Sequence, residues 1–352
     1  MRQCLSHPLH GYYMNTDVFG TKGDFITSPE ISQMFGELIA IWFIQYWQQM
    51  KSPKNIQIVE FGPGRGTLMH DLLYTIKQFP FIYKQIQSIH LVETSKHLGL
   101  LQREKLKPFH DQDIKFQWHE RIDTIPNDTF TFYIGHEFFD ALPIFQFQKT
   151  KDGWREIVVD IDDTQSSDLH FRNVLVPYKT KPLLLFEKQT QYEDAKIGDV
   201  IQICPDMWDL CCEISFRIAK NGGTGLFIDY GMEDIRTDRI RGIKDHKWVS
   251  PFSTPGKVDL SSDVEFSAIK HASLLSGANF VGPIKQGDFL KSMGIGARVM
   301  ALMAGLKNEE ERKQVIAAYE RLTKPNEMGD IYQFCAITPK GIDSPYPFDV
   351  SN

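Results

Sequence analysis

The 352 residues include only five cysteines, none of them in a Cys-x-x-Cys pair, and Cys211 and Cys212 stand side by side. That spacing offers neither a zinc site nor a disulfide framework, and it fits a reducing compartment. Excess positive charge is also lacking: 39 Lys and Arg are set against 45 Asp and Glu, a formal net charge of -6. A general nucleic-acid binder is therefore disfavoured, because holding phosphates needs a basic face. No apolar run approaches the roughly 20 residues that cross a bilayer. The longest lies around Leu38 to Trp47 and reads as a buried helix. No signal or transit peptide is visible. The opening Met1-Arg2-Gln3-Cys4-Leu5 reads instead as the middle of a helix, so a removed targeting segment is an expectation. Internal repeats and low-complexity tracts are missing too.

What is present is an ordinary globular composition, 42% hydrophobic and 24% charged, with enough chain for a sizeable core. Residues 11–29 read as loop. Ser28-Pro29-Glu30 then opens a helix that runs to about Met50, with Ser28 as its N-cap. Strands and helices alternate next: strands at Ile56–Phe61, Ser88–Glu93, Ile114–Trp118 and Phe130–Gly135, helices at Thr67–Gln78 and Ser95–Lys107. This alternation predicts an α/β fold with a doubly wound, Rossmann-like parallel sheet.

After Pro143 the pattern turns β-rich, with Asp152-Gly153 as a hairpin turn, until about Cys204. Asp206–Lys220 is a predicted helix and Gly225–Asp229 a buried strand. Residues 232–262 read as a long polar loop, a length that usually signals function. Val264–Ser276 and 297–323 are predicted helices, and Ile331–Ile337 a final strand. The expected organisation is an N-terminal lid and helix (1–50) and a Rossmann-like core (51–143, 205–231 and 264–340). A β-rich insertion (144–204) and a substrate-loop insertion (232–263) interrupt that core.

The strongest motif is Val59-Glu60-Phe61-Gly62-Pro63-Gly64-Arg65-Gly66-Thr67. A buried strand ends in an acid, a glycine-rich turn follows, and a helix begins. The glycines let backbone approach a ligand that a Cβ would displace, and amides at a helix start favour anions. The dinucleotide fingerprint requires glycine at its sixth position; Thr67 stands there. The order Glu60-x-Gly62-x-Gly64-x-Gly66 resembles motif I of class I methyltransferases, whose acid sits near the methionine end of S-adenosylmethionine. Glu93, closing the second strand, is placed to accept ribose hydroxyls.

Gly135-His136-Glu137-Phe138-Phe139-Asp140-Ala141-Leu142-Pro143 follows the fourth strand, at the switch point of the sheet. Two carboxylates and an imidazole within five residues suit proton handling. The Asn-Pro-Pro-Tyr or Asp-Pro-Pro-Tyr that amide and adenine methyltransferases place there is absent; paired acids suit a cation better. Asp229 and Tyr230 end another central strand. The loop Gly20–Glu30, with Thr27, Ser28 and Pro29, reads as a lid over the cofactor. Arg239, Arg241, His246, Lys247 and the stretch Pro255–Leu260 are weaker candidates for a substrate groove.

Together these elements resemble the mitochondrial protein arginine methyltransferases that assist assembly of NADH:ubiquinone oxidoreductase (respiratory complex I), with their bacterial relatives. The resemblance runs from His7-Pro8-Leu9-His10-Gly11-Tyr12-Tyr13 to Met328-Gly329-Asp330. It is carried most specifically by Gly23–Gln33, Val59–Met69, Glu137–Pro143 and Gln286–Leu290. It implies symmetric dimethylation of an arginine on a complex I core subunit in the mitochondrial matrix. His136 stands where many bacterial relatives have Asn, and Ser261 and Ser262 depart from a common Thr-Ala.

On this reading Glu137 is the main guanidinium ligand, with Asp140 or Asp229 assisting and Tyr230 or His136 taking the proton. Glu60, Gly62, Gly64, Gly66, Glu93, Thr27, Ser28 and Pro29 face the cofactor, and no metal is expected. Two other classes stay open: an NAD-linked oxidoreductase, disfavoured by Thr67, and an assembly chaperone that binds the cofactor without catalysis. Nothing in the sequence fixes the oligomeric state, and a homodimer is compatible with it.

Overall fold

The computed structural model describes residues 1–14, 27–110, 113–163, 169–186 and 192–349. Its central sheet is built from β1 (Ile56–Phe61), β2 (Ile86–Val92), β3 (Lys115–His119), β4 (Phe130–His136) and, later in the chain, β9 (Gly223–Met232). These five pair in parallel. Both β1 and β4 are buried along their whole length, as expected of parallel strands covered on both faces.

Between them lie β5 (Phe145–Thr150), β6 (Gly153–Ile161), β7 (Phe171–Leu175) and β8 (Val200–Ile203), which form a separate antiparallel sheet in the order β7-β6-β5-β8. Then come β10 (Ile240–Lys244), β11 (Lys247–Val249), β12 (Asp259–Ser262), β13 (Val264–Glu265), β14 (Ala278–Lys285) and β15 (Tyr332–Pro339). The main sheet runs β14-β15-β9-β4-β1-β2-β3, with β15 antiparallel to both neighbours. The order reverses between β1 and β4, and ligands of open α/β sheets bind at the strand carboxyl ends beside such a point.

Helices cover both faces. Gln33–Gln49 packs one face together with Thr67–Ile76, and its apolar residues face sheet and neighbouring helix at once. Tyr46 donates to the Gly223 carbonyl at 2.8 Å, which satisfies its hydroxyl inside that core. Pro205–Asn221 and Phe266–Leu275 pack the other face. Among the described residues no helix is long and apolar enough to cross a membrane.

Several expectations are corrected. The helix expected from Ser28 to Met50 is two: Ser28–Ile31, with Thr27 at its N-cap position, and Gln33–Gln49. Ser32, extended at φ -163°, separates them, and its hydroxyl accepts the Met34 amide at 3.3 Å. Residues 232–262 are not structureless, since β11-β10-β12 form a three-stranded antiparallel sheet. Val264-Glu265 pairs with the end of β9 before the helix begins at Phe266. The span 297–323 contains two helices, Ile295–Gly305 and Glu309–Thr323. The proposed lid at 20–26 lies outside the described residues.

Candidate active site

The carboxyl ends of β1, β2, β4 and β9 open into a cleft of about 850 Å³. On its β1–β2 side the chain turns with Gly62, Gly64 and Gly66 at φ +60°, +53° and +79°. Such left-handed conformations strain any residue with a Cβ. A Cβ on Gly62 would lie 2.8 Å from Phe138 Cδ2. Gly62 and Gly64 line the cleft with Glu60, Thr67 and Glu93. Gly66 does not; it sets the start of the helix Thr67–Ile76.

Glu60 is 2% exposed, and its Oε2 has no hydrogen-bond partner among the described residues. Burial, then the charge of Glu93, pushes its pKa up to about 8. Glu93 accepts the Ser95 amide at 2.7 Å and the Gln102 side-chain amide at 3.2 Å. Gln102 also donates to the Gly64 carbonyl at 2.8 Å, so one side chain ties the end of β2 to the glycine turn.

The helix Ser28–Ile31 is fastened to the same turn, because Glu30 accepts the Thr67 hydroxyl and lies 3.7 Å from Arg65. This places Thr27 and Pro29 on the cleft wall. Ser28 is fully buried; its backbone amide faces Glu137 and its hydroxyl lies 3.5 Å from Gln286. Glu30, read from sequence as a first-turn acid at the end of the lid, is here the tie between that helix and the glycine turn.

On the β4–β9 side stand His136, Glu137, Asp140 and Tyr230. Glu137 takes a left-handed φ of +49°. For a non-glycine residue this costs about 1–3 kcal/mol, a strain typical of active sites. Its carboxyl meets the Tyr332 hydroxyl and the Ser28 amide, while burial and the charge of Asp140 still push its pKa up to about 8. Asp140 accepts the Tyr230 hydroxyl. Burial raises it to about 6, against the pull of that hydrogen bond and of Arg241. Arg241 itself bonds Asp263 and stacks 4.9 Å from the Tyr230 ring centroid.

Burial lowers His136 to about 3, so its imidazole is neutral near pH 7; Nε2 lies 3.4 Å from Glu137 Oε1. Glu137 Oε1 and Asp140 Oδ1 have no hydrogen-bond partner among the described residues.

Asp229 is placed differently from its expected role. It is 1% exposed and lies beneath the cleft rather than on its wall. Its Oδ2 accepts the amides of Phe138, Phe139 and Asp140 at 3.2, 3.0 and 3.4 Å, and its Oδ1 accepts that of Tyr230 at 3.0 Å. It organises the turn that presents Glu137 and Asp140. Two cleft residues, Tyr13 and Tyr332, carried no functional reading in the sequence, while Asp259 comes from the 255–260 stretch read there as a weaker candidate for a substrate groove. No group of three or more His, Cys, Asp or Glu among the described residues is arranged to hold a metal.

Residues 38–284 match the model of a family of S-adenosyl-L-methionine-dependent methyltransferases. The chain belongs to this family. Human mitochondrial protein arginine methyltransferase NDUFAF7 is 40% identical, over 96% of this chain and 79% of its own length. The mitochondrial Drosophila melanogaster homologue is 35% identical, over 96% and 80%. A Burkholderia thailandensis protein solved with bound S-adenosyl-homocysteine has the same fold, with a TM-score of 0.79 at 24% identity, covering 97% of this chain and 87% of that one.

The cleft of this methyltransferase fits its cofactor, S-adenosylmethionine. Gly62 and Gly64 keep backbone bare on the wall, and buried Glu60, whose Oε2 has no partner among the described residues, suits the positively charged amino-acid end. Glu93 is held by donors on one side and suits ribose hydroxyls on the other.

Proposed function

We propose that this methyltransferase modifies a guanidino nitrogen of arginine on a protein acceptor. Its physiological reaction on this reading is symmetric dimethylation of a complex I core subunit in the mitochondrial matrix. The observation that carries the reading is the neighbouring pair of buried Asp140 and half-buried Glu137, each with an oxygen lacking a hydrogen-bond partner among the described residues. The names of the relatives, mitochondrial protein arginine methyltransferases, support it.

The cofactor supplies an electrophilic methyl group. The chain's residues must do the rest. Arginine is protonated below a pKa of about 12 and is a poor nucleophile. Glu137 receives the guanidinium through charge-assisted hydrogen bonds, which favour a planar fork over a point charge. Asp140, held by Tyr230, provides the second arm. Glu137, raised to about 8, can take a proton as the guanidino nitrogen reacts, whereas His136, lowered to about 3 and 3.4 Å away, stays neutral beside it. Positioning by these groups supplies much of the rate.

The test is methyl transfer to a purified complex I core subunit by wild type and by Glu137→Gln, with cofactor affinity measured alongside. Glu137→Gln keeps shape but not charge, so cofactor affinity should hold while transfer falls by about 100-fold or more. Full transfer by the variant would sink the acidic clamp. Cofactor binding by wild type without any transfer would leave an assembly protein that has lost catalysis.

A further inference from the structure

We infer that Asp259 and Tyr13 form a third arm of the acceptor site and set its preference for a positively charged guanidinium over a neutral group of the same shape. The inference rests on the arginine reading above. Both residues line the cleft alongside Glu137 and Asp140. Tyr13 donates its hydroxyl to Asp259 Oδ1 at 2.6 Å, which fixes that carboxylate. Asp259 is close enough for its charge to raise Glu137, and Asp140 close enough to raise Tyr13, so the three acids share one electrostatic environment. The adjoining wall carries Asp140, only 7% exposed and with its Oδ1 unpartnered among the described residues, a group that wants a donor.

Several contacts combine to place this pair. Leu5 and Tyr12 pack on Val258 and Leu260, which flank Asp259 in sequence. The N-terminal segment folds back on itself, with the Tyr12 amide donating to Cys4 and that of Tyr13 to Leu5, at 2.9 and 3.1 Å. Gly256, at φ +80°, lies so close to the His10 carbonyl that a Cβ would sit 2.4 Å from its oxygen. At the other end of β12 the Ser262 amide donates to the Asp140 carbonyl at 3.0 Å, tying the strand to the turn that carries the clamp. The N-terminal segment and β12 therefore deliver two polar groups to a site built otherwise from the ends of sheet strands. Three carboxylates around one cation favour positive charge itself, whereas a neutral ureido group gains only its hydrogen bonds.

The experiment uses the full chain loaded with S-adenosylmethionine. It measures acceptor KM, kcat and cofactor Kd for wild type, Asp259→Asn and Tyr13→Phe, with a purified complex I core subunit as acceptor. It also measures binding of N-acetyl-arginine amide and N-acetyl-citrulline amide. Asp259→Asn should raise acceptor KM about tenfold and shrink the arginine-over-citrulline preference by a similar factor, with cofactor Kd unchanged. Tyr13→Phe should move the same quantities in the same direction by less. A packing defect would weaken both small ligands alike and disturb cofactor binding, and that pattern would overturn the inference. So would an unchanged preference in both variants, or an unfolded Asp259→Asn beside a silent Tyr13→Phe. Wild type that distinguishes arginine from citrulline but transfers no methyl would refute the catalytic reading alone; wild type that does not distinguish them refutes the third arm.

Discussion

Asp229 holds Phe139 by a 3.0 Å hydrogen bond from the Phe139 amide to its Oδ2. Through it and the companion amides of Phe138 and Asp140, β9 dictates the conformation of the loop after β4. The two carboxylates proposed to meet the acceptor are therefore aimed by a third that does not face the cleft. Asp229→Ala would leave those amides buried without an acceptor, a loss of about 3 kcal/mol or more in stability. Asp229→Asn keeps one carbonyl acceptor and should lose less. Denaturant unfolding and methyl transfer measured on both variants check this; an alanine variant as stable and active as wild type would refute the anchoring role.

Gly62 joins the two halves of the site, because its missing Cβ is the space that the Phe138 ring edge occupies. Gly62→Ala should lower stability by about 1–2 kcal/mol through φ strain. The contact with Phe138 adds a second penalty and should weaken cofactor affinity. Phe138→Leu added to Gly62→Ala should remove the contact but not the strain, giving partial recovery. Strictly additive effects in a double-mutant cycle would show that the contact carries no weight.

The raised acids make acceptor binding pH-dependent. Glu137 and Asp140, at about 8 and about 6, hold protons in the free protein that ordinary carboxyls have lost. A guanidinium favours their charged forms. Transfer at low acceptor concentration should therefore climb as pH rises from about 6 and level off near 8, with the upper part of the rise missing in Glu137→Gln.

Stability moves the other way. Glu137 is raised from 4.5 in folding, so its stabilising contribution is complete below about 4.5 and is lost as pH rises through about 8. His136 opposes it, since a lowered imidazole favours the fold above about 6.5 and is lost towards 3. Wild-type stability minus that of Glu137→Gln isolates the first effect, and a difference that grows with pH would contradict it.

Much of this was legible in the sequence. Continuous buried runs betray β1 and β4, and the glycine order after β1 leaves few ligands that fit. The acids after β4 follow directly from that placement. What stayed hidden was set by tertiary pairing. Ala278–Lys285 has no clean alternation, because Pro283 and a register shift interrupt its pairing with β15. The sheet β11-β10-β12 is masked by charged residues that read as loop. Tyr332 reaches the cleft only because β15 runs antiparallel beside β9, with Tyr332 opposite Tyr230. Asp229 had the right strand end but the wrong role, because nothing local distinguishes a carboxylate that meets a ligand from one that meets four backbone amides.

The insertion of β15 between β9 and β14 has a consequence for how the protein matures. Tyr332 cannot take its place beside Glu137 until β15 has slotted into a sheet whose other members were made much earlier. A chain that stopped short of Tyr332 would keep the glycine turn after β1 but lack the hydroxyl that meets Glu137.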